Sequence, residues 1–201
     1  MLLKSLSKTA LSCLLVLTAG YSSAASITNS TGIASPGTTI TFSEVALTSG
    51  TVITNQYAAY GATFSPYAVF RAQDGYYPTD YIGNFNGAGT ANPFVISFGH
   101  LVNAAAFDFI TNDGTTTFEA LNGATVVGTF SATTGIVIGT YYGFENIAFD
   151  SIRITIPVNG AMELDNLQIA AVPEADTYAM MLAGLGLLGV VARRRNAAKK
   201  V

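Results

Sequence analysis

The chain has 201 residues, half of them hydrophobic and only 10% charged, with 20 Gly, 12 Phe, 10 Tyr and no Trp, which excludes a disordered polar chain and a helical bundle. Its formal net charge of −3 hides a segregation: residues 26–171 hold ten Asp or Glu against Arg71 and Arg153, a net of −8, while the last nine residues hold five Lys or Arg and no acid. So acidic a body repels polyanions, because phosphate binding needs Lys and Arg to displace counterions, and nucleic acid is excluded as a partner.

At the N-terminus Lys4 and Lys8 precede an apolar run from Thr9 to Gly20, followed by Ser22, Ser23, Ala24 and Ala25, the small residues that a signal peptidase reads. Residues 1–25 are therefore expected to be a signal peptide, cut after Ala24 or Ala25. The run is shorter than the ~20 apolar residues a permanent anchor requires. Cys13, the one cysteine, lies inside it, so the exported portion has neither disulfides nor a thiol nucleophile. Ala10, Leu11 and Ser12 make a poor lipobox before Cys13. Residues 26–37 form a polar lead-in rich in Ser, Thr and Gly.

Residues 38–170 show short runs of Thr, Val, Ile, Phe and Tyr broken by Gly, Asn, Asp and Pro, with no helical period. Phe94, Ile96 and Phe98 alternate with Val95 and Ser97, and Ile152, Ile154 and Ile156 with Arg153 and Thr155, as when one face of a strand meets a core. Asn112-Asp113-Gly114 and Asn122-Gly123 are tight-turn signals. They are expected to join strands at 104–110, 115–121 and 125–130 as a meander. So many short strands suit two packed sheets, and the reading is an all-β, antiparallel jelly-roll β-sandwich.

Two acids stand out by strand parity. Glu44 shares parity with Ile40 and Phe42, and Asp165 with Leu167 and Ile169, so regular strands would aim both carboxylates at the core. Burying an unpaired carboxylate is costly and calls for a network or a cation. Since the first and last strands of a jelly roll often adjoin, Glu44 and Asp165 are candidate ligands of a structural Ca²⁺. No cofactor motif is present otherwise.

The stretch 71–93 gathers Asp74, Tyr76, Tyr77, Asp80, Tyr81, Asn84, Phe85 and Asn86 with four glycines. Sugar rings stack on aromatic faces while Asp and Asn read the hydroxyls, so Asp74, Tyr76, Tyr77, Asp80 and Tyr81 are the candidate ligand-binding residues, with polysaccharide as the ligand class. The single histidine, His100, has no Cys, second His or Glu-x-x-His partner nearby, and no nucleophile elbow, phosphate loop or dinucleotide fingerprint appears. No catalytic residue is assigned. Carboxylates acting alone on a glycan are the alternative, because Asp and Glu need no motif to meet in space.

The C-terminal segment reads Val172-Pro173-Glu174-Ala175 in a linker at 171–177, then Tyr178 to Ala192 without a charge, then Arg193-Arg194-Arg195 in a basic tail at 193–201. An apolar helix enters lipid with its backbone bonds satisfied, and adjacent arginines stay cytoplasmic, so 178–192 is expected to be a single transmembrane helix. Fifteen residues at 1.5 Å each span ~22 Å, less than the ~30 Å hydrocarbon core, which suits a brief stay in the membrane.

These residues resemble the PEP-CTERM sorting tail of Gram-negative, exopolysaccharide-producing bacteria. The resemblance implies recognition by an exosortase, a membrane-embedded transpeptidase-like enzyme that cuts near the Pro-Glu motif, with Val172, Pro173, Glu174, Arg193, Arg194 and Arg195 as the sorting signal. Ala175 stands where the commonest motif has a second proline. Segments 40–44, 54–64, 119–123 and 164–167 are similar in addition to a lectin-like jelly roll that often precedes such tails. The expectation is an exported, non-enzymatic surface or matrix protein, anchored transiently in the inner membrane, whose partners are signal peptidase and the secretion machinery, an exosortase and a polysaccharide. A glycan-active enzyme or a purely structural envelope protein are the alternatives.

Overall fold

A computed structural model describes residues 24–73, 75, 77–85, 87, 89–157, 160–171 and 183–189. Among these residues ten strands run β1 (Ala25–Asn29), β2 (Thr38–Ile40), β3 (Ala62–Phe64), β4 (Val69–Arg71), β5 (Tyr81–Gly83), β6 (Phe94–Thr111), β7 (Gly114–Asn122), β8 (Thr125–Thr134), β9 (Tyr141–Thr155) and β10 (Met162–Ala171). Every ladder between them is antiparallel. The all-β reading of the sequence holds.

The length of β6 and β9, 18 and 15 residues, shapes the molecule. They pair in two blocks, Phe94 to Ser97 against Ser151 to Ile154 and Ala104 to Asp108 against Tyr141 to Glu145, with register shifts between the blocks. Such shifts bend a strand and raise its twist. β3 and the β7–β8 hairpin extend the first block. β1 and β10 extend the second, and β10 also carries β5 and β2.

The bend closes the sheet on itself. Phe118 on β7 is in register with Ile154, and Ile154 and Tyr142 lie ~12 residues apart on β9, or roughly 40 Å along a straight strand. The rings of Phe118 and Tyr142 nevertheless stack, with centroids 5.2 Å apart and planes at 7°. Phe130 of β8 stacks on Phe118 at 4.9 Å, and Phe109 meets it edge-on at 5.5 Å. One core therefore lies between two layers, with Phe94, Ile96, Phe98, Ile152 and Ile154 from one and Ala105, Phe107, Phe109 and Phe144 from the other. The apolar alternation expected around Phe94 and Ile152 is observed.

Three expectations change. The lead-in at 26–37 is not outside the domain: β1 pairs with β9, and its Ile27 is buried. A single apolar side chain among Ser, Thr and Asn gave the sequence too weak a period. The turn at 112–114 does not close a hairpin, because β9 lies between β6 and β7 and the turn crosses from one layer to the other. Only β7 and β8 form the expected hairpin, with Gly123 in the left-handed region at φ 57°. Parity also fails at Glu44, because β2 ends at Ile40 and Phe42 takes φ 62°.

Residues 1–23 of the expected signal peptide and the sorting residues Val172, Pro173, Glu174, Arg193, Arg194 and Arg195 lie outside the described residues. Residues 183–189 are helical, with Leu185, Leu187 and Leu188 exposed. Among the described residues no helix is long and apolar enough to cross a membrane.

Because Phe118 fills the junction of the two layers, Phe118→Ala should cost about 3–5 kcal/mol in equilibrium urea unfolding. Phe85→Ala, at an exposed ring, should stay within about 0.5 kcal/mol.

Candidate functional site

The segment between β4 and β5 folds over the outer face of β6 and β10, the face turned away from the main core. Tyr77 and Tyr81 bury their rings there against Ile110, with the two rings 5.4 Å apart. Beneath them lie two acids in direct cross-strand register, Asp108 of β6 and Asp165 of β10, exposed by only 4% and 1%.

Each carboxylate is held by its own donors. The Gly139 amide donates to both oxygens of Asp108 at 3.0 Å, and the buried Tyr77 hydroxyl lies close to the same carboxylate. Thr79 Oγ1 donates to Asp165 Oδ2 at 2.6 Å, and the Asn166 amide donates to Oδ1 at 2.6 Å. Burial raises both carboxyl groups above the ordinary range, and the bonds from Gly139, Phe109 and Thr140 oppose this at Asp108. Asp165 is pushed up to about 6, first by burial and then by the charges of Asp108 and Glu44, against the donors Thr79 and Asn166. The Tyr77 hydroxyl is driven well above its usual value, by burial first and then by Asp108, Asp165 and Glu163.

Parity placed Asp165 on the core face with Leu167 and Ile169, and this is corrected. Asn166 takes φ 50° and the register shifts between Asp165 and Gln168. Leu164, Leu167 and Ile169 are all in the core, so the irregularity between Asp165 and Gln168 puts Asp165 on the opposite face from Leu167, facing outward beneath Tyr77 and Thr79. β2 does adjoin β10 as expected, with Ile40 opposite Leu167. Glu44, however, turns one oxygen back on Thr41, accepting from its amide at 2.7 Å and its hydroxyl at 2.9 Å. Both oxygens of Asp165 and one of Glu44 thus take protein donors, while Glu44 Oε2 is buried without one, and Asp165 has Asp108 as its cross-strand neighbour. Among the described residues no group of three or more His, Cys, Asp or Glu gathers as a metal cluster.

Asp108 was missed by sequence reasoning, though a signal existed. It shares parity with Ala104, Ala106 and Ile110, so an acid stands on an apolar face of a strand whose other face carries Phe107 and Phe109. A strand apolar on both sides is covered on both sides.

Of the candidate ligand-binding residues, Asp74 and Tyr76 lie outside the described residues. Tyr77 and Tyr81 are buried and do not offer a ring face to solvent, and Asp80 is half-buried. The segment still frames an open hollow of about 210 Å³, lined by Arg71, Tyr81, Asn84, Phe85, Met162 and Glu163. Phe85 is 47% exposed, and Arg71 Nη2 donates to its carbonyl at 3.0 Å. Asn84 is buried and staples this wall to β10, accepting from the Met162 amide at 3.0 Å and donating to the Ala91 carbonyl at 3.2 Å. Arg153, the other arginine of the domain, is paired with Glu119 at 2.7 Å. His100 lies exposed on β6 beside a shallow hollow that includes Tyr60 and Gly99.

With this geometry in hand, the comparisons identify the tail. Residues 171–195 match the PEP-CTERM protein-sorting motif, as the sequence led us to expect. The match begins at Ala171, the final residue of β10, so the sorting tail leaves directly from the sheet. The chain is thereby supported as an exported protein processed by an exosortase-type enzyme. No curated protein matches the chain. Among solved structures it is similar to one described as the Agl-KA catalytic domain, at 16% identity and a TM-score of 0.34, covering 61% of this chain and 27% of that one. A likeness at that level defines neither a shared fold nor a shared activity.

The raised carboxyl group sets a pH dependence. The folded state holds the Asp165 proton up to about pH 6, whereas the unfolded chain releases it near 3.8, so between those values the folded state binds more protons and stability falls as pH rises. Asp165→Asn should reduce the loss of stability between pH 4 and pH 7 by on the order of 2–3 kcal/mol, measured by urea unfolding at both pH values.

Proposed function

We propose that this chain is a non-enzymatic surface or extracellular-matrix protein that an exosortase releases from the inner membrane and that binds exopolysaccharide through its β-sandwich. The observation that carries the reading is the sorting motif at 171–195, which directly adjoins the last strand. Between a signal peptide and such a tail, the sandwich is the cargo.

Polysaccharide binding is the finer part of the reading, and a lectin-like character for the sandwich belongs with it. It is supported by the hollow beside β4 and β5, where the exposed ring of Phe85 stands by the guanidinium of Arg71 and the carboxylate of Glu163. A sugar ring can lie on the aromatic face while the charged groups take its hydroxyls. The non-enzymatic part is supported by the placement of the acids. A glycosidase needs two carboxyl groups flanking the scissile bond, whereas Asp108 and Asp165 are roofed by Tyr77 and Thr79 and spend their oxygens on protein donors.

The sorting arm is tested by Pro173→Ala with Glu174→Ala. The double variant should accumulate as a full-length, membrane-associated species, read by fractionation and by mass of the C-terminal peptide; normal release would reject the reading. The binding arm is tested by retention on the host's own polysaccharide. Phe85→Ala and Arg71→Ala should each weaken retention about tenfold, a change of about 1.4 kcal/mol, with no new reducing ends formed. Unchanged retention would move the site, and new reducing ends would favour a glycan-active enzyme.

A further inference from the structure

Residues 120–144 contain no charged side chain, although the exported portion carries a net of −8. β8 lies within this stretch, at the end of the strand order, and among the described residues it pairs with β7 alone. It is ten residues long, TVVGTFSATT, with neither Lys nor Pro. Natural edge strands are usually short or blunted by such residues, because unpaired amides and carbonyls are a template for another strand. β8 is also held in place from behind, since Phe130 packs on Phe118 and Phe144 with centroids 4.9 and 5.1 Å apart. The edge is therefore ordered before anything binds it.

Apolar side chains are exposed at both of its ends. The register passes from Ala120 opposite Gly128 to Leu121 opposite Val126, leaving Val127 as an extra residue that turns both valines to solvent. Val126 and Val127 are 42% and 36% exposed. Beyond the other end, Ile136, Val137 and Ile138 are 52%, 62% and 49% exposed. Between them Thr129, Ser131 and Thr133 line the exposed face.

We propose that the β8 edge docks a second copy of this chain, strand against strand and antiparallel about a two-fold axis near Ser131. Three features select that occupant. An antiparallel self-pairing brings Val126 and Val127 of one copy to the Ile136–Ile138 loop of the other, so each apolar end finds an apolar partner. It sets Thr and Ser opposite Thr and Ser, a favourable cross-strand combination. It also joins two strongly acidic bodies along a stretch without carboxylates, whereas a cationic partner would be drawn to the acids elsewhere.

The test uses the full chain in detergent with Cys13→Ser, which leaves no native cysteine. Ser131→Cys should form a dimer with a short bis-maleimide crosslinker, while Val52→Cys, at an exposed site distant in sequence, should not. In sedimentation equilibrium, Val127→Lys with Thr129→Lys should weaken dimerisation at least about tenfold by setting ammonium groups on the edge against the apolar Ile136–Ile138 loop and Thr133 of the other copy, with circular dichroism unchanged. Three results would overturn the proposal. One is a monomer at every concentration, as when the chain's own termini cover β8. Another is equal crosslinking at both cysteines. The third is a dimer indifferent to the lysines, which would assign association to the tail helix.

Discussion

The structure depends on the stacking of Phe118 between Phe130 and Tyr142. An antiparallel sheet with one apolar face must cover that face, and a chain without disulfides in its exported part has only packing with which to do so. β6 and β9 solve the problem by running through both layers and bending at their register shifts. Each strand then supplies apolar residues to both walls of one core. The aromatic cluster is what makes the bend favourable, since a flat sheet would leave those rings in water.

The same bend creates a second, smaller environment. The outer face of the β6–β10 pair would be wet if the segment between β4 and β5 did not lie over it with Tyr77 and Tyr81. Covering that face encloses Asp108 and Asp165, so their oxygens must be met by Gly139, Thr79 and Asn166. The acids anchor the covering segment, and the strands at its two ends, β4 through Arg71 and β5 through Tyr81 and Gly83, line the hollow beside Phe85. Core, anchored cover and hollow form one chain of dependence. Burying this tyrosine pair removes it from ligand contact while fixing the wall on which an exposed ring can act.

Closure also leaves edges, and the edges differ in character. β8 is long, uncharged and backed by Phe130, while β10 ends where the sorting tail begins. The long uncharged edge and the start of the sorting tail thus lie on different strands. The acidic composition opposes non-specific contact with polyanions.

Local order was legible in the residues themselves. The C-terminal sorting motif, the strands around Phe94 and Ile152 and the turn at Asn122-Gly123 all rest on composition or on a period of two, which a linear chain displays directly. What required the tertiary structure was everything dependent on a break in that period or on distant pairing. The φ of Asn166 moves Asp165 to the other face of its strand, the end of β2 frees Glu44 to turn back on Thr41, and β9 inserts between β6 and β7. The partnership of Asp108 with Asp165 joins residues far apart in the chain, and only the folding of one sheet onto itself brings them together under Tyr77.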